Sequence, residues 1–487
     1  MRVGLVVHGT PPELVGGTER LTADLASALA ARGDEVSVFS GSIEWRERFE
    51  VVEHQADTAG APFGVPIVRV HRHDLFFERW DKLENPHVER AYGDWLDAFR
   101  PELVHVHHWA RLTTTLVRRA TERGIPVVLS LHDLFSSCPR YHRVKEDLSF
   151  CGVAPSPDAC RTCAPRWVFQ GDAEIDGQVT AFAADLRAEV AAATEVVAPT
   201  AGHGARLLSW LGLEREVTAL PPTSTPGLTP AARPLADRVA SAEDPLHVGA
   251  FGHLHALKGA GVLLAAQAAL PDPSRVVVHL WGEAPDEATE AELIAQAGDR
   301  PVIRHGAYSP ADLSGAPVDV VVVPTLCAES YSFALDEAAA LGVPILASDT
   351  GALADRATAR MQLFPVGDVA ALSAALAELA DDPGRRATLA AGPAPERWDR
   401  PTHLAGLDQV YRRAVQHPPA GPNPGDAAAG AAAAGAAAVD EQLTRRQRLF
   451  DLREAGLAEL LRSQGWEDVV ARLQAELARR PPAADGT

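Results

Sequence analysis

Two glutamates, Glu329 and Glu337, stand eight residues apart just beyond the apolar run Val318–Val323. Pro324 ends that run, and Gly342 and Pro344 close a following helix that Ser330 or Ser332 can cap. On helical geometry, positions eight apart are about 12 Å apart along the axis and about 80° apart around it. Such a pair can grip two ends of one extended ligand, with the free N–H groups of the helix start lying between them. Those groups favour anions. A ligand with hydroxyls at both ends and a diphosphate in the middle is a nucleotide sugar. The competing interpretation is a buried strand followed by a helix whose glutamates face water, and the rest of the chain decides between the two.

Four further groups of residues carry chemistry. In Phe251-Gly252-His253-Leu254-His255-Ala256-Leu257-Lys258-Gly259, His253 and Lys258 stand near a helix start, where a lysine neutralises a diphosphate as a point charge. Gly16 and Gly17 precede another helix and let backbone N–H groups approach a phosphate or sugar closely. The loop lacks the GxGxxG dinucleotide fingerprint, so a plain turn competes with that role. His132 follows the strand Val127–Leu131 and projects toward the predicted cleft. His105, His107 and His108 end another strand, and because alternate strand residues face opposite sides, acceptor contacts or loop polarity suit them better than a metal. Finally, Cys138, Cys151, Cys160 and Cys163 lie within 26 residues, the last two as Cys-x2-Cys. Four thiols can supply a tetrahedral structural zinc that staples a loop; reduced thiols or a redox-labile pair are the alternatives. Cys327 is expected to pack beside a strand end.

The elements that hold these residues alternate. Strands are expected at Val3–Val7, Glu35–Ser40, Pro66–Val70, Leu103–His107, Val127–Leu131 and Glu195–Ala198, with amphipathic helices such as Glu19–Arg32 between several of them. A second alternating unit runs Leu246–Phe251, Val276–Gly282, Val302–His305, Val318–Val323 and Pro344–Ala347. The pattern predicts an α/β chain of two Rossmann-like parallel-sheet domains facing a cleft, with ligands beyond the carboxyl ends of the strands. The expected domains are 1–220, with the cysteine-rich loop 138–163, and 246–397, joined by a Pro/Ala-rich connector at 221–245. A helix at 398–416 packs back on the first half. An Ala/Gly/Pro linker at 417–439 is expected to be flexible, and 440–480 forms a helical hairpin with one apolar face. That face can dock on the body, form a homodimer or bind another protein.

With 487 residues the chain is long enough for two or three cores. Lys and Arg number 45 against 65 Asp and Glu, a net charge of −20 that argues against nucleic acid or an anionic membrane as partner. Neither a signal peptide nor a transmembrane run is expected, and few cysteines fit a cytoplasmic location.

Taken together and in order, these pieces resemble the GT-B-fold retaining glycosyltransferases of the family-four or "group 1" class over about residues 1–416. The matching segments are Gly16-Gly17-Thr18-Glu19, Leu103–His107, Ser130-Leu131-His132-Asp133, Gly252-His253-Leu254 with Lys258-Gly259, and Leu280-Trp281-Gly282. Glu329 with Glu337, Gly342-Val343-Pro344, Ser348-Asp349-Thr350-Gly351 and Phe364-Pro365-Val366-Gly367-Asp368 complete them. The resemblance implies that the second half binds the donor and the first the hydroxyl acceptor. It implies that Glu337 holds the ribose, Lys258 the diphosphate and Glu329 the sugar hydroxyls. His132 would lie beside the sugar and Gly17 would approach the phosphates. Ser330, Tyr331, Ser332 and Phe333 complete the expected donor edge. No catalytic cofactor or metal is expected. Two departures stand out: His253 replaces the family's usual arginine, and Pro222-Thr223-Ser224 replaces an Asn-Gly. A sugar-nucleotide epimerase or hydrolase, or a weakly active binding scaffold, are the alternatives to a transferase of polysaccharide, glycolipid or metabolite synthesis.

Overall fold

The structure is a computed structural model that describes residues 1–223, 244–419 and 429–465, with 429–439 described by backbone course only. Two sheets carry the chain. The first contains β1 (Arg2–Val7), β2 (Glu35–Ser40), β3 (Glu50–His54), β4 (Ile67–His71), β5 (Leu103–Val106), β6 (Val127–Ser130), β7 (Glu195–Ala198) and β8 (Thr218–Ala219). Their spatial order is β3-β4-β2-β1-β5-β6-β7-β8. All neighbours are parallel except β3, which pairs antiparallel with β4. The second contains β9 (Leu246–Phe251), β10 (Val276–Trp281), β11 (Val302–Gly306), β12 (Val320–Val323), β13 (Ile345–Ser348) and β14 (Met361–Phe364), in the order β11-β10-β9-β12-β13-β14.

Both sheets are doubly wound. In each, the order reverses beside the first strand, between β1 and β5 in one and between β9 and β12 in the other, and it is there that ligands bind beyond the strand ends. The strands read as apolar runs because helices cover both faces; Val3, Leu5, Val6, Val320 and Val321 are wholly buried. Helix Arg400–Gln416 returns to the first sheet, where Leu407, Val410, Tyr411 and Ala414 share a core with Val3, Leu5, Leu103 and Val128. Of the expected connector, residues 224–243 lie outside the described residues.

The C-terminal part differs from expectation. One helix runs from Ala429 to Ser463, so residues 429–439, read as flexible linker, are helical. Alanine is the strongest helix former, and a run of it extends a docked helix rather than loosening it. This helix packs along Pro86–Phe99. Phe450 is buried there, Leu457 lies in the small core that Leu75 and Leu461 form, and Arg446 bonds Glu84 and Glu89. The described part of the expected seam, Phe450 and Leu457, is therefore covered by the first domain. The second arm of the expected hairpin, Trp466 to Leu477, lies outside the described residues. No described helix is long and apolar enough to cross a membrane.

Candidate active site

The switch point of the second sheet gathers the carboxylates and the lysine. The loop after β9 carries His253 and Lys258, and the loop after β12 carries Glu329. They are stitched together by Leu326 N–H to Leu257 O (2.8 Å) and Thr325 Oγ1 to Leu257 O (3.0 Å). Gly259 permits that approach: its φ is +78°, and a Cβ there would sit 1.9 Å from the Pro324 carbonyl oxygen. Lys258 Nζ donates to Glu329 Oε1 at 2.7 Å, with the lysine side chain 45% exposed and the glutamate 11%. The cation is thus partly open to solvent while one anion holds it.

Helix Phe333–Leu341 follows. Ser332 occupies its N-cap, but its side chain caps nothing, so the capping role expected for Ser330 or Ser332 is corrected; at φ +72° the Ser332 backbone lies in the left-handed region, where a hydroxyl does not reach back to the helix. A non-glycine residue held there costs on the order of 1–3 kcal/mol, a strain characteristic of ligand-binding loops. Tyr331 departs from its expected role too. Its ring is buried beneath the Arg356 guanidinium at 4.0 Å, and its hydroxyl donates to Asp336 Oδ2 at 2.9 Å, so it braces the helix from behind. Phe333 is partly exposed, and Gly17 faces it: a Cβ on Gly17 would lie 3.6 Å from Phe333 Cε2. The glycine loop of the first domain therefore meets the donor helix of the second.

Glu337 is buried, and its Oε2 accepts from the Tyr308 hydroxyl at 2.9 Å. Burial pushes its pKa up from 4.5 to about 7, against the downward pull of the Tyr308 hydrogen bond. Between those values the folded chain holds a proton that the unfolded chain has released, so stability declines as pH rises through that window. Sequence reasoning missed Tyr308. It follows a strand end, which is the position that should have drawn attention to it.

The first domain contributes imidazoles. His107 Nδ1 lies 3.0 Å from His132 Nε2, the ring planes nearly parallel at 5°. His105 stacks on His107 at 4.0 Å and bonds Tyr411 Oη and Ser130 Oγ. Burial keeps His105 and His107 well below their usual pKa and lowers His132 to about 3. All three are neutral in water near pH 7. His107 Nε2 is buried with no hydrogen-bond partner, beside a cavity of about 20 Å³ lined also by Leu21, His132 and His403, room for about one water. His8 Nε2 pairs with Glu19 Oε1 at 2.7 Å, and Gly16 leaves space for that carboxylate, since a Cβ there would sit 2.5 Å from Glu19 Oε2. His108 Nε2 lies 3.1 Å from Asp133 Oδ2. Neither pair was foreseen.

Across the domains, Asp355 accepts from Thr200 Oγ1 (3.0 Å) and from both terminal nitrogens of Arg206 (2.9 and 2.8 Å). Ala328, next to Glu329, packs into the core of the first domain. These contacts close one side of the cleft.

The four clustered cysteines are free thiols. They lie near enough that Cys138 and Cys151 both raise the pKa of Cys160 and of Cys163, yet no three of their sulfurs come within mutual ligand distance. Arg143, buried among them, binds the carbonyls of Ser137, Cys151 and Val153 and holds the loop by hydrogen bonds. The Cys327 sulfur lies 3.4 Å from Thr325 Oγ1, beside the end of β12.

Comparison with known proteins agrees with this fold. Residues 15–157 match the family model described as Glycosyltransferase Family 4, and residues 245–382 match Glycosyl transferases group 1. The chain is 29% identical over 448 residues to the D-inositol 3-phosphate glycosyltransferase of Xylanimonas cellulosilytica, covering 85% of this chain and 97% of that protein. It is 27% identical over 372 residues to the enzyme of the same name from Arthrobacter sp., covering 72% and 79%. Among solved structures, the sucrose-phosphate synthase of Thermosynechococcus elongatus superposes with a TM-score of 0.60 at 20% identity, covering 85% of this chain and 98% of that one. Anabaena HepE in complex with UDP-glucose superposes with a TM-score of 0.54 at 16% identity, covering 86% and 100%.

Proposed function

The chain belongs to the GT-B glycosyltransferases of family 4 and group 1, and on that footing we propose that it transfers a sugar, with retention of anomeric configuration and without a metal, from a nucleoside diphosphate donor to a hydroxyl of a phosphorylated polyol. The observation that carries this reading is the Lys258–Glu329 pair, 2.7 Å apart, in the segment that leads into the helix whose Phe333 meets Gly17. A diphosphate lying there receives the lysine charge and the open N–H groups of helix Phe333–Leu341.

Each side chain then has a task. Lys258 leaves part of its hold on Glu329 to neutralise the departing diphosphate, where negative charge develops. Glu329, released from full pairing, accepts from sugar hydroxyls. Glu337 accepts from the ribose hydroxyls in its ionised form, with Tyr308 bracing it. His132 is neutral, so it orients the sugar by hydrogen bonding rather than by charge, and His107 sets which of its nitrogens carries the proton. The bond from the anomeric carbon to the diphosphate oxygen breaks, the acceptor oxygen bonds that carbon from the same face, and its proton passes to the leaving phosphate. His253, exposed where the family usually has arginine, leaves more of the diphosphate charge to Lys258.

The phosphorylated acceptor is suggested by the names of the curated relatives. Arg111, close enough to His8 and Tyr141 to bias their protonation, offers a cation on the acceptor side. The test is a melting-temperature screen against UDP-, GDP-, ADP- and dTDP-sugars, followed by turnover of the stabilising donor with inositol 3-phosphate and proton NMR of the product's anomeric signal. A stabilising donor and an anomeric configuration matching the donor's are expected. An inverted product overturns retention, and donor breakdown that ignores the acceptor overturns transfer.

A further inference from the structure

The C-terminal helix carries Asp451 onto two histidines of the first domain, and we propose that His73, His87 and Asp451 bind one divalent transition-metal ion that clamps the helix to the domain. His73 Nε2 lies 3.0 Å and His87 Nε2 2.8 Å from the same oxygen, Asp451 Oδ1. Among the described residues this is the one group of three or more histidine, cysteine or acidic side chains whose ligand atoms all lie within 4.8 Å of one another. The three come from separate segments: the loop after β4, the start of helix Pro86–Phe99, and helix Ala429–Ser463.

The two nitrogen-to-oxygen spacings suit an ion. With bonds of about 2.1 Å to nitrogen and oxygen, neighbouring donors of an octahedral metal stand about 3.0 Å apart. Two imidazoles and one carboxylate select zinc, nickel or cobalt over calcium or magnesium, which take oxygen ligands. The imidazoles are 17% and 19% exposed and the carboxylate 49%, so the rings are held while one side stays open for entry and for water ligands. Phe49 and Phe450 wall the site, with ring centroids 5.3 Å from His87 and 5.9 Å from His73. Gln447 lies 3.3 Å from His87 Nδ1 and orients that ring from behind. Here Gln447 Nε2 faces His87 Nδ1 and Oε1 accepts from Arg90 Nε; a metal-bound His87 carries its proton on Nδ1, so metal binding requires the Gln447 amide to turn its oxygen to that proton, Arg90 keeping its bonds to Asp440 and Thr444. The clamp stands beside the Lys82–Glu454 and Arg446–Glu89 pairs on the same face of the helix.

Two imidazole N–H groups donating to one carboxylate without an ion give the same distances, so the test must separate the two. Asp451→Asn keeps an oxygen that accepts both hydrogen bonds but is a poor metal ligand. Untagged full-length protein, stripped with chelator, is titrated with zinc chloride by calorimetry and followed by thermal melting, alongside Asp451→Asn and a variant with Cys138, Cys151, Cys160 and Cys163 all changed to serine. The expected result is one zinc equivalent that raises the melting temperature, is bound at least about tenfold more weakly by Asp451→Asn, and is kept by the four-serine variant. Zinc bound equally by wild type and Asp451→Asn, no zinc uptake by wild type, or uptake lost in the four-serine variant overturns the site. None of these readings depends on glycosyl transfer.

Discussion

The two sides of the cleft are built from opposite electrostatic materials. The first domain lines its strand ends with histidines that burial holds neutral, His132 near 3 and His8 near 4. The second presents a lysine–glutamate pair and a carboxyl group, Glu337, whose pKa near 7 places it on the edge of ionisation. The cause lies in the partners. His105, His107 and His132 bond one another and neutral hydroxyls, and at His8 burial outweighs the paired Glu19 carboxylate, so packing decides their state. Lys258 and Glu329 stand in loops after β9 and β12, at the switch point, where ion pairing compensates partial burial, while Glu337 lies on the following helix, buried against the neutral Tyr308 hydroxyl. On the proposed function, the neutral wall shapes and orients and the charged wall grips a diphosphate.

Breaking the charged wall should have the largest effect. Lys258→Ala removes the cation that meets the leaving diphosphate, and with His253 in place of arginine little else replaces it; kcat/KM should fall about 10²–10³-fold, read from steady-state kinetics. An unchanged value would move the diphosphate elsewhere. The neutral wall should break more gently. His107→Leu frees the tautomer of His132 and should lower kcat about tenfold with KM little changed, while His107→Asn, which keeps a donor near the Nδ1 position, should recover much of it. Nitrogen NMR of labelled histidines reads the His132 tautomer directly and should change only in the leucine variant. Smallest is the bridge between the two walls. Arg206→Ala leaves Asp355 with Thr200 alone and should lower stability by about 0.5–1 kcal/mol in a chemical denaturation series, because the pair is partly exposed.

The sequence exposed some of this and hid the rest for physical reasons. Strands such as Val320–Val323 and Val127–Ser130 are buried on both faces and read as apolar runs, so the two-sheet fold and the loops bearing Lys258, Glu329 and His132 were legible. Strand β3, Glu50–His54, was not: it lies at a sheet edge, half exposed and rich in charge. Tyr308 with Glu337 and His8 with Glu19 were hidden because spacing along the chain says nothing about which loops meet. Tyr331 misled for the opposite reason, since it stands beside the donor helix but faces Asp336 and Arg356. The alanine-rich stretch before Asp440 looked like a linker by composition, although propensity favours the helix it joins.

The central claim is that Glu337, on the charged wall, grips the donor's ribose as an anion. Calorimetric titration of the preferred nucleoside diphosphate into wild type and Glu337→Gln at pH 6 and pH 8 tests it most directly. With a pKa near 7, the carboxyl group is about one-tenth ionised at pH 6 and nine-tenths ionised at pH 8. Wild-type affinity should therefore rise by up to about tenfold over that range, with net proton release at the lower pH, while Glu337→Gln binds weakly and without that dependence. Wild-type affinity in Glu337→Gln at pH 8 would contradict the account.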